Sequence, residues 1–550
     1  MSEAADGTMK VHEAIARCLR DNGVETIFGL MGDGNMFMCD SFIRDCGGEF
    51  IAAAHEVGAA LMALGYSTVD LGKKLGVASV THGPGMVNTV TALLQGVKAS
   101  TPMLLICGDV KAEDRLSLQK APQRELAMVV GAGFEQIRSP RTAVADTAMA
   151  MRRAILERRP VVLNAPVDFD WVDIEYKPVR VHIPEGRAVV QASDDLDNAV
   201  GMIAAAKRPV IVAGRGACSP DARASILRLA KRIEAPMAVT LKAKDLFRGE
   251  DYDLGICGVE STDPAVETIL ASDCLIFFGA SITKATSSLG AFVKGRRIIQ
   301  INQEPEEIGK NVLPDVGVVG DPGGVADLIV HWLDEAEIPP SGGYTDELKH
   351  KLETYRFETG PDADYDNGTV DYRHALVRLE EILPQGRVLA TDGGRITRRI
   401  WPVIRVDGPG SFVPALDFGS IGLGVSHAIG AAAAMRGRPV VATVGDGAFM
   451  NGGLTEFNTA VRAKLDLIVV VANDSAYGAE HIKFERKQRD PAPSLFDWPE
   501  FADVAISLGG QGVTVRCDAD WAKAADAIKN RKAPLLIDVK LDPSRISEDE

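Results

Sequence analysis

The sequence predicts an α/β protein made of three doubly wound units, each built on a parallel sheet. Three observations predict it. Short apolar, β-branched runs alternate along the chain with helical periodicity, and strands that alternate with helices imply parallel sheets. Two stretches rich in Pro and Gly interrupt that alternation, one around Pro178 and Pro184, the other at Pro339-Pro340-Ser341-Gly342-Gly343 and Gly360-Pro361. A length of 550 residues also calls for more than one domain. The expected boundaries are 8–175, 190–337 and 365–545.

Composition narrows the class. Hydrophobic residues make up 46% and charged residues 25%, ordinary for a globular protein with full cores. No apolar run reaches the ~18–20 residues that a membrane span needs. Residues 1–10 are polar and acidic, without a secretory apolar segment. Eight Cys are scattered, with no CxxC and no His/Cys cluster. These features predict a cytoplasmic protein with reduced thiols and no zinc site. A net charge of −16 argues against nucleic acid or an anionic membrane as partner.

In the first unit, 11–22 reads as an amphipathic helix stopped by Gly23, and 26–29 as a strand running into a Gly-rich turn. A strand at 50–54 leads into His55-Glu56, which opens a helix of small residues. The strand 75–80 ends in Thr81-His82-Gly83-Pro84-Gly85, followed by a helix over 88–99 and a strand at 102–108. The second unit shows strands at 208–213, 236–240, 275–279 and 298–301, the first ending in Gly214-Arg215-Gly216. That turn lacks the GxGxxG fingerprint and assigns no nucleotide. In the third unit, strands are expected at 387–390, 440–444 and 467–472, with a small-residue helix over 428–434.

The third unit carries the strongest chemical signal. Gly445-Asp446-Gly447-Ala448 ends one buried strand, and Asn473-Asp474-Ser475-Ala476-Tyr477-Gly478 ends the next. Ligands of open α/β sheets bind at the C-terminal ends of strands. Glycine lets a ligand approach the backbone. A helix expected over 453–463 would aim its N-terminal amides at the turn, a seat for phosphate. Two carboxylates beside a phosphate seat suit Mg²⁺. The pattern alone also fits an ordinary βαβ turn, and Gly32-Asp33-Gly34 repeats the tripeptide without a matching partner.

The spacing of Asp446 and Asn473 resembles the motif of thiamine-diphosphate (ThDP) decarboxylases and carboligases, the acetolactate-synthase-like and benzoylformate- or pyruvate-decarboxylase-like enzymes. The resemblance implies pyrimidine-binding, central and diphosphate-binding domains in that order. It implies ThDP bound by Gly445, Asp446, Gly447, Ala448, Asn473, Asp474, Ala476, Tyr477 and Gly478. Mg²⁺ would be held by Asp446, Asp474 and the Ala476 carbonyl. One departure stands out: Asp474 occupies the place of the family's second Asn.

The resemblance extends to other positions. His55-Glu56-Val57-Gly58-Ala59-Ala60 is similar to the family's His-Glu-x-x-Ala-Ala, in which the Glu, here Glu56, shares a proton with the cofactor's aminopyrimidine ring. Asp392 and Gly393 match a region of diphosphate contact. Gly419, Ser420 and Ile421 match the stretch whose bulky apolar residue supports the folded cofactor. For proton transfer to substrate the candidates are His82, Gln123 (or Gln119), Glu480 and His481, with imidazole and carboxyl groups suited to acid–base work. The implied activity is decarboxylation of a 2-oxo acid, ligation of the resulting acyl group to an aldehyde or ketone, or both. Alternatives are an FAD-containing acetolactate synthase catalytic subunit and a CoA-thioester lyase; neither FAD nor ADP is assigned to the central unit. The resemblance further implies a homodimer or homotetramer with active sites shared between subunits.

Overall fold

The computed structural model describes residues 7–111, 113–114, 116–184 and 192–546. Each third of the chain forms one six-stranded parallel sheet. The boundary expected at residue 190 lies outside the described residues. In the N-terminal unit the strand order is Glu49–Ala52, Thr26–Gly29, Gly76–Val80, Met103–Asp109, Pro160–Pro166, Gly133–Gln136. Numbered within the unit, that is 2-1-3-4-6-5. The C-terminal unit repeats it with Phe412–Pro414, Val388–Thr391, Val440–Gly445, Leu467–Asn473, Leu535–Lys540 and Gln511–Val515. The central unit differs: Asp253–Ile256, Met237–Val239, Pro209–Ala213, Cys274–Phe278, Arg297–Asn302 and Val316–Val319 run 3-2-1-4-5-6.

These orders fix where ligands can enter. In a doubly wound sheet the connections leave in opposite directions at one point, and a crevice opens there beyond the strand ends. In the C-terminal unit that point lies between Val388–Thr391 and Val440–Gly445. Asp392 and Asp446 are the next residues along the two strands. In the N-terminal unit it lies between Thr26–Gly29 and Gly76–Val80, so Gly32-Asp33-Gly34 faces Thr81-His82-Gly83. Gly34 donates its amide to Thr81 Oγ1 at 3.1 Å, and a Cβ on Gly34 would stand 2.5 Å from His82 Nδ1. The second tripeptide is therefore a glycine turn that admits a histidine.

One apolar core joins the first and third units. The helices Glu56–Thr68 and Gly424–Ala434 meet backbone to backbone. A Cβ on Gly65 would lie 2.1 Å from His427 O, and one on Gly430 would lie 1.8 Å from Met62 O. Small residues in both helices allow this approach, and no larger side chain fits at either glycine. Two helices differ from expectation. The helix expected over 88–99 starts two residues later, at Val90–Ala99, because Pro84 opens a separate turn over Pro84–Val87 that ends at Asn88. The helix expected over 453–463 begins at Asp446: one helical turn at Asp446–Ala448, a π-helical turn at Phe449–Gly453, then Leu454–Arg462. Gly452 explains the wide turn, since a Cβ there would lie 2.1 Å from Gly422 O. Among the described residues no helix is long and apolar enough to cross a membrane.

Candidate functional site

Asp446 is the first residue of its helix and is buried. Its Oδ2 accepts from Trp498 Nε1 at 2.8 Å and from the Ala476 amide at 3.1 Å. Burial, and then the neighbouring Asp474, push its carboxyl up to about 7. Asp474 is 1% exposed, and burial pushes it upward against the opposing pull of Arg395. Its Oδ2 accepts from Arg395 Nη2 at 2.9 Å, while its Oδ1 has no partner among the described residues. Two neighbouring buried carboxylates, both pushed upward by burial and one with an orphaned oxygen, fit a divalent cation. Among the described residues no third His, Cys, Asp or Glu joins them. A cation here would thus complete its shell with main-chain or ligand oxygens. The helix N-terminus at Asp446 and the open space beside Gly445, where a Cβ would meet nothing within 4 Å, fit a phosphate group.

The other residues expected around this point divide by role. Gly447 lies under the Tyr477 ring, and a Cβ there would stand 2.6 Å from the ring. Ala448 is buried in the same helical turn. Gly478 admits the Asp474–Arg395 pair, since a Cβ would come within 2.7 Å of Asp474 Oδ2. Asn473 is a brace. Its amide donates to Asp538 Oδ1 at 2.9 Å and its oxygen accepts from the Ser475 amide at 3.2 Å. That turn puts Ser475 at φ 53° and so aims Ala476 back at Asp446. Asp392 is a brace as well. Its carboxylate accepts from the amides of Gly393, Gly422 and Gly424 at 2.7, 3.1 and 2.7 Å, and burial still pushes it up to about 6. It holds the 419–424 loop in place, with Gly419 and Gly422 at φ 80° and 87°. Ser420 and Ile421 thereby face Gly393, where a Cβ would meet Ser420 O at 3.2 Å and Ile421 Cγ2 at 3.7 Å.

Glu56 begins its helix with a side chain 12% exposed. Asn88 Nδ2 donates to its Oε2 at 3.0 Å. The turn before it is held by the third unit: Glu456 accepts from the Ala54 and His55 amides at 3.1–3.2 Å. A Cβ on Gly58 would stand 2.0 Å from Glu456 Oε1, so glycine at this point of the motif makes room for that carboxylate. His82 is buried with Nδ1 unpartnered.

Two of the residues expected to face substrate have partners within the chain. Gln123 is spent on its own unit. Its oxygen accepts from the Gly83 amide at 2.7 Å, and its nitrogen donates to Asn164 Oδ1 and Gly108 O at 2.6 and 3.0 Å. It braces the His82 turn. Glu480 is 56% exposed and paired with Lys483 at 3.4 Å, on the solvent side of the helix Gly478–Arg486. The next residue in that helix, His481, is the buried one, its Nδ1 3.4 Å from Ser494 Oγ. Gln119, the other glutamine weighed, only brings its carbonyl against Gly83.

Sequence reasoning named Tyr477 but missed Phe496 and Trp498 beside it, and missed the arginine. Tyr477 meets Phe496 edge to face and Phe496 stacks on Trp498, with ring centroids 4.6 Å apart at both steps. Trp498 lies 52 residues beyond Asp446, and no local pattern ties the two. Arg395 follows a Gly-Gly pair at a strand end, which was the only signal available.

The Gly214-Arg215-Gly216 turn lies at the switch point of the central sheet. Beside it a cleft of about 400 Å³ is lined by Arg215, Lys242, Asn302 and Gln303. Arg215 Nη1 donates to Ala99 O at 2.7 Å and Lys242 pairs with Asp417 at 2.5 Å. Both side chains already have a partner in the protein, and the cleft assigns neither FAD nor ADP.

Comparison with known proteins agrees with the three-unit layout. Residues 9–130 match the thiamine pyrophosphate enzyme N-terminal TPP binding domain, 196–329 the central domain and 392–539 the C-terminal TPP binding domain. The chain is 27% identical to a sulfoacetaldehyde acetyltransferase of Castellaniella defragrans, over 96% of this chain and 93% of that protein. It is 27% identical to a probable acetolactate synthase large subunit of Methanocaldococcus jannaschii (98% and 92%). It is 28% identical to the acetolactate synthase large subunit of Parasynechococcus marenigrum (97% and 88%).

Proposed function

The chain belongs to the thiamine pyrophosphate enzymes, and from that premise we propose that it uses ThDP and Mg²⁺ to break or form the carbon–carbon bond beside a carbonyl. Its substrate class is 2-oxo acids, with decarboxylation, transfer of the acyl group to an aldehyde or ketone, or both. The observation that carries this reading is the pair Asp446 and Asp474, buried at adjacent strand ends with one carboxylate oxygen unpartnered. ThDP bound there supplies a carbon nucleophile for a substrate carbonyl. The protein's part is to bind and orient. Asp446, locked by Trp498 and the Ala476 amide, and Asp474 through Oδ1 would hold the metal. The helix N-terminus at Asp446 would take the diphosphate. Ile421, carried on the loop that Asp392 fixes, would support the cofactor from below. Glu56, oriented by Asn88, would hold a proton against the aminopyrimidine nitrogen. His82 Nδ1, which has no partner among the described residues, is the group best placed in the N-terminal crevice to exchange a proton with a substrate oxygen.

A second reading is acetyl transfer involving sulfoacetaldehyde, favoured by the names of two relatives at 27% and 28% identity. One experiment separates the two. The purified protein, loaded with ThDP and Mg²⁺, is offered a panel of 2-oxo acids with and without acceptor aldehydes, and separately sulfoacetaldehyde. Release of CO₂ from a 2-oxo acid supports the first reading. Consumption of sulfoacetaldehyde alone supports the second. Absence of ThDP binding by calorimetry in the presence of Mg²⁺ overturns both.

A further inference from the structure

Arg395 is the most unusual side chain at the site. It is 6% exposed and lies beyond the Asp392-Gly393-Gly394 turn, at the switch point of the C-terminal sheet. Nη2 donates to Asp474 Oδ2 at 2.9 Å. Nε and Nη1 are buried and meet no acceptor among the described residues. A guanidinium stays charged at all accessible pH and offers donors in a flat fork suited to phosphate. Buried donors without acceptors are rare in folded proteins and call for a partner that is not part of the chain. Asp474 presents the complementary oddity, an orphaned Oδ1. Glycine at 478 makes room for the pair, since a Cβ there would come within 2.8 Å of Arg395 Nη2.

We propose that Arg395 is an anion-binding residue of this site, meeting the cofactor's diphosphate with the donors that Asp474 leaves free, while Asp474 divides its two oxygens between the guanidinium and the metal. The inference rests on the ThDP reading and goes beyond it by making Asp474 and Arg395 a matched pair. An asparagine at 474 has a single oxygen and could not serve both cations, and its NH₂ would oppose the guanidinium. A carboxylate serves both. The negative charge that Asp474 adds is balanced by Arg395, so the site keeps a fixed cation for the anion even before metal binds.

The test uses the full-length protein and titration calorimetry, first with inorganic pyrophosphate in EDTA, then with ThDP and Mg²⁺. Wild type binds pyrophosphate without metal. Arg395→Gln weakens that binding at least tenfold, and Arg395→Lys, which keeps the charge but loses the fork, weakens it less. With Mg²⁺, Asp474→Asn weakens ThDP binding by a larger factor in the wild-type background than in the Arg395→Gln background, because without the guanidinium the single amide oxygen is free for metal. If Arg395→Gln does not fold, the Lys variant and the Asp474→Asn comparison with Arg395→Lys in place of Gln carry the test. Unchanged pyrophosphate affinity in the Arg395 variants overturns the inference, as does an Asp474→Asn effect of the same size in both backgrounds. Wild type that binds ThDP with Mg²⁺ but no pyrophosphate without it overturns the inference and leaves the cofactor reading standing. Wild type that binds no ThDP with Mg²⁺ overturns both.

Discussion

Glu56 enters its site with one oxygen already engaged by Asn88 and with its turn clamped by Glu456. These contacts hold the carboxyl at the head of its helix. Replacing it with Gln preserves size and the Asn88 contact but removes the exchangeable proton. Glu56→Gln is therefore expected to bind ThDP within a fewfold of wild type while turnover falls roughly 10²–10⁴-fold, the usual cost of losing an acid–base group. Calorimetry and initial rates on the substrate found by the screen decide it; turnover within threefold of wild type would remove Glu56 from the chemistry. At this scale the sequence is legible where neighbouring strand ends bring residues together, as at Asp446 and Asp474. It is not legible where a polar residue has two uses. Gln123 and His82 look equally able to meet substrate, yet only the fold reveals that the glutamine is consumed by Gly83 and Asn164. Glu480 and His481 are adjacent, and helix phase decides that the histidine is buried and the glutamate solvated.

Elements explain why the chain spends so many glycines and alanines near the site. The helices Glu56–Thr68 and Gly424–Ala434 touch through their backbones, and so position Glu56 relative to the loop that carries Ile421. His427 sits inside this contact. Its Nδ1 lies 2.9 Å from Leu423 O, and a carbonyl can only accept, so the proton is on Nδ1. Burial pulls its pKa down to about 4 from an ordinary value of 6.5. Between these values the unfolded chain takes up a proton that the folded chain refuses. Stability from this group is thus complete above pH 6.5 and is lost as pH falls toward 4, a change of up to about 3 kcal/mol. His427→Gln, which can keep the bond to Leu423 O, is expected to show a flatter loss of urea stability between pH 6.5 and 4.5. An acid limb identical to wild type would assign the loss to other groups. The existence of both helices is readable from their small residues, but where a helix begins is less so. The chain reads as starting one near 453, whereas the π-helical turn at Phe449–Gly453 carries it back to Asp446. Periodicity searches keyed to 3.6 residues lose the phase at such a turn.

At the scale of the whole molecule, three sheets could be inferred because buried parallel strands are nearly all apolar and their alternation with helices survives any detail of packing. Sheet order could not, since it depends on which crossovers pair. The repeat of 2-1-3-4-6-5 in the first and third units emerges only from the structure. The units are also bound by groups that no local pattern displays: Lys244 and Asp245 of the central unit are buried together at 2.8 Å, and Asp245 reaches Arg405 of the third at 2.9 Å. Burial pulls Lys244 down to about 8 even so, as befits a charge retained only because it is paired. Assembly is the remaining question. Within one chain the bonds of Glu56 run to Asn88 of its own unit, whereas the carboxylate pair lies in the third. Leu118, Met128 and Val129 are exposed on the first unit, apolar surface of the kind that partners cover. We propose that two copies of the chain complete each site, Glu56 from one and Asp446 from the other. Glu56→Gln and Asp446→Ala are each expected to be inactive, the second through loss of Mg²⁺-dependent ThDP binding. Dissociated together in equal amounts and reassociated, they should regain about one quarter of wild-type activity, because half the dimers are mixed and each mixed dimer holds one intact site of two. Sites built within a single chain would regain none. Sedimentation completes the measurement: a fully active monomer would refute the shared site, while recovered activity that travels with the dimer, and is absent when either variant is reassociated alone, requires both chains at one cofactor.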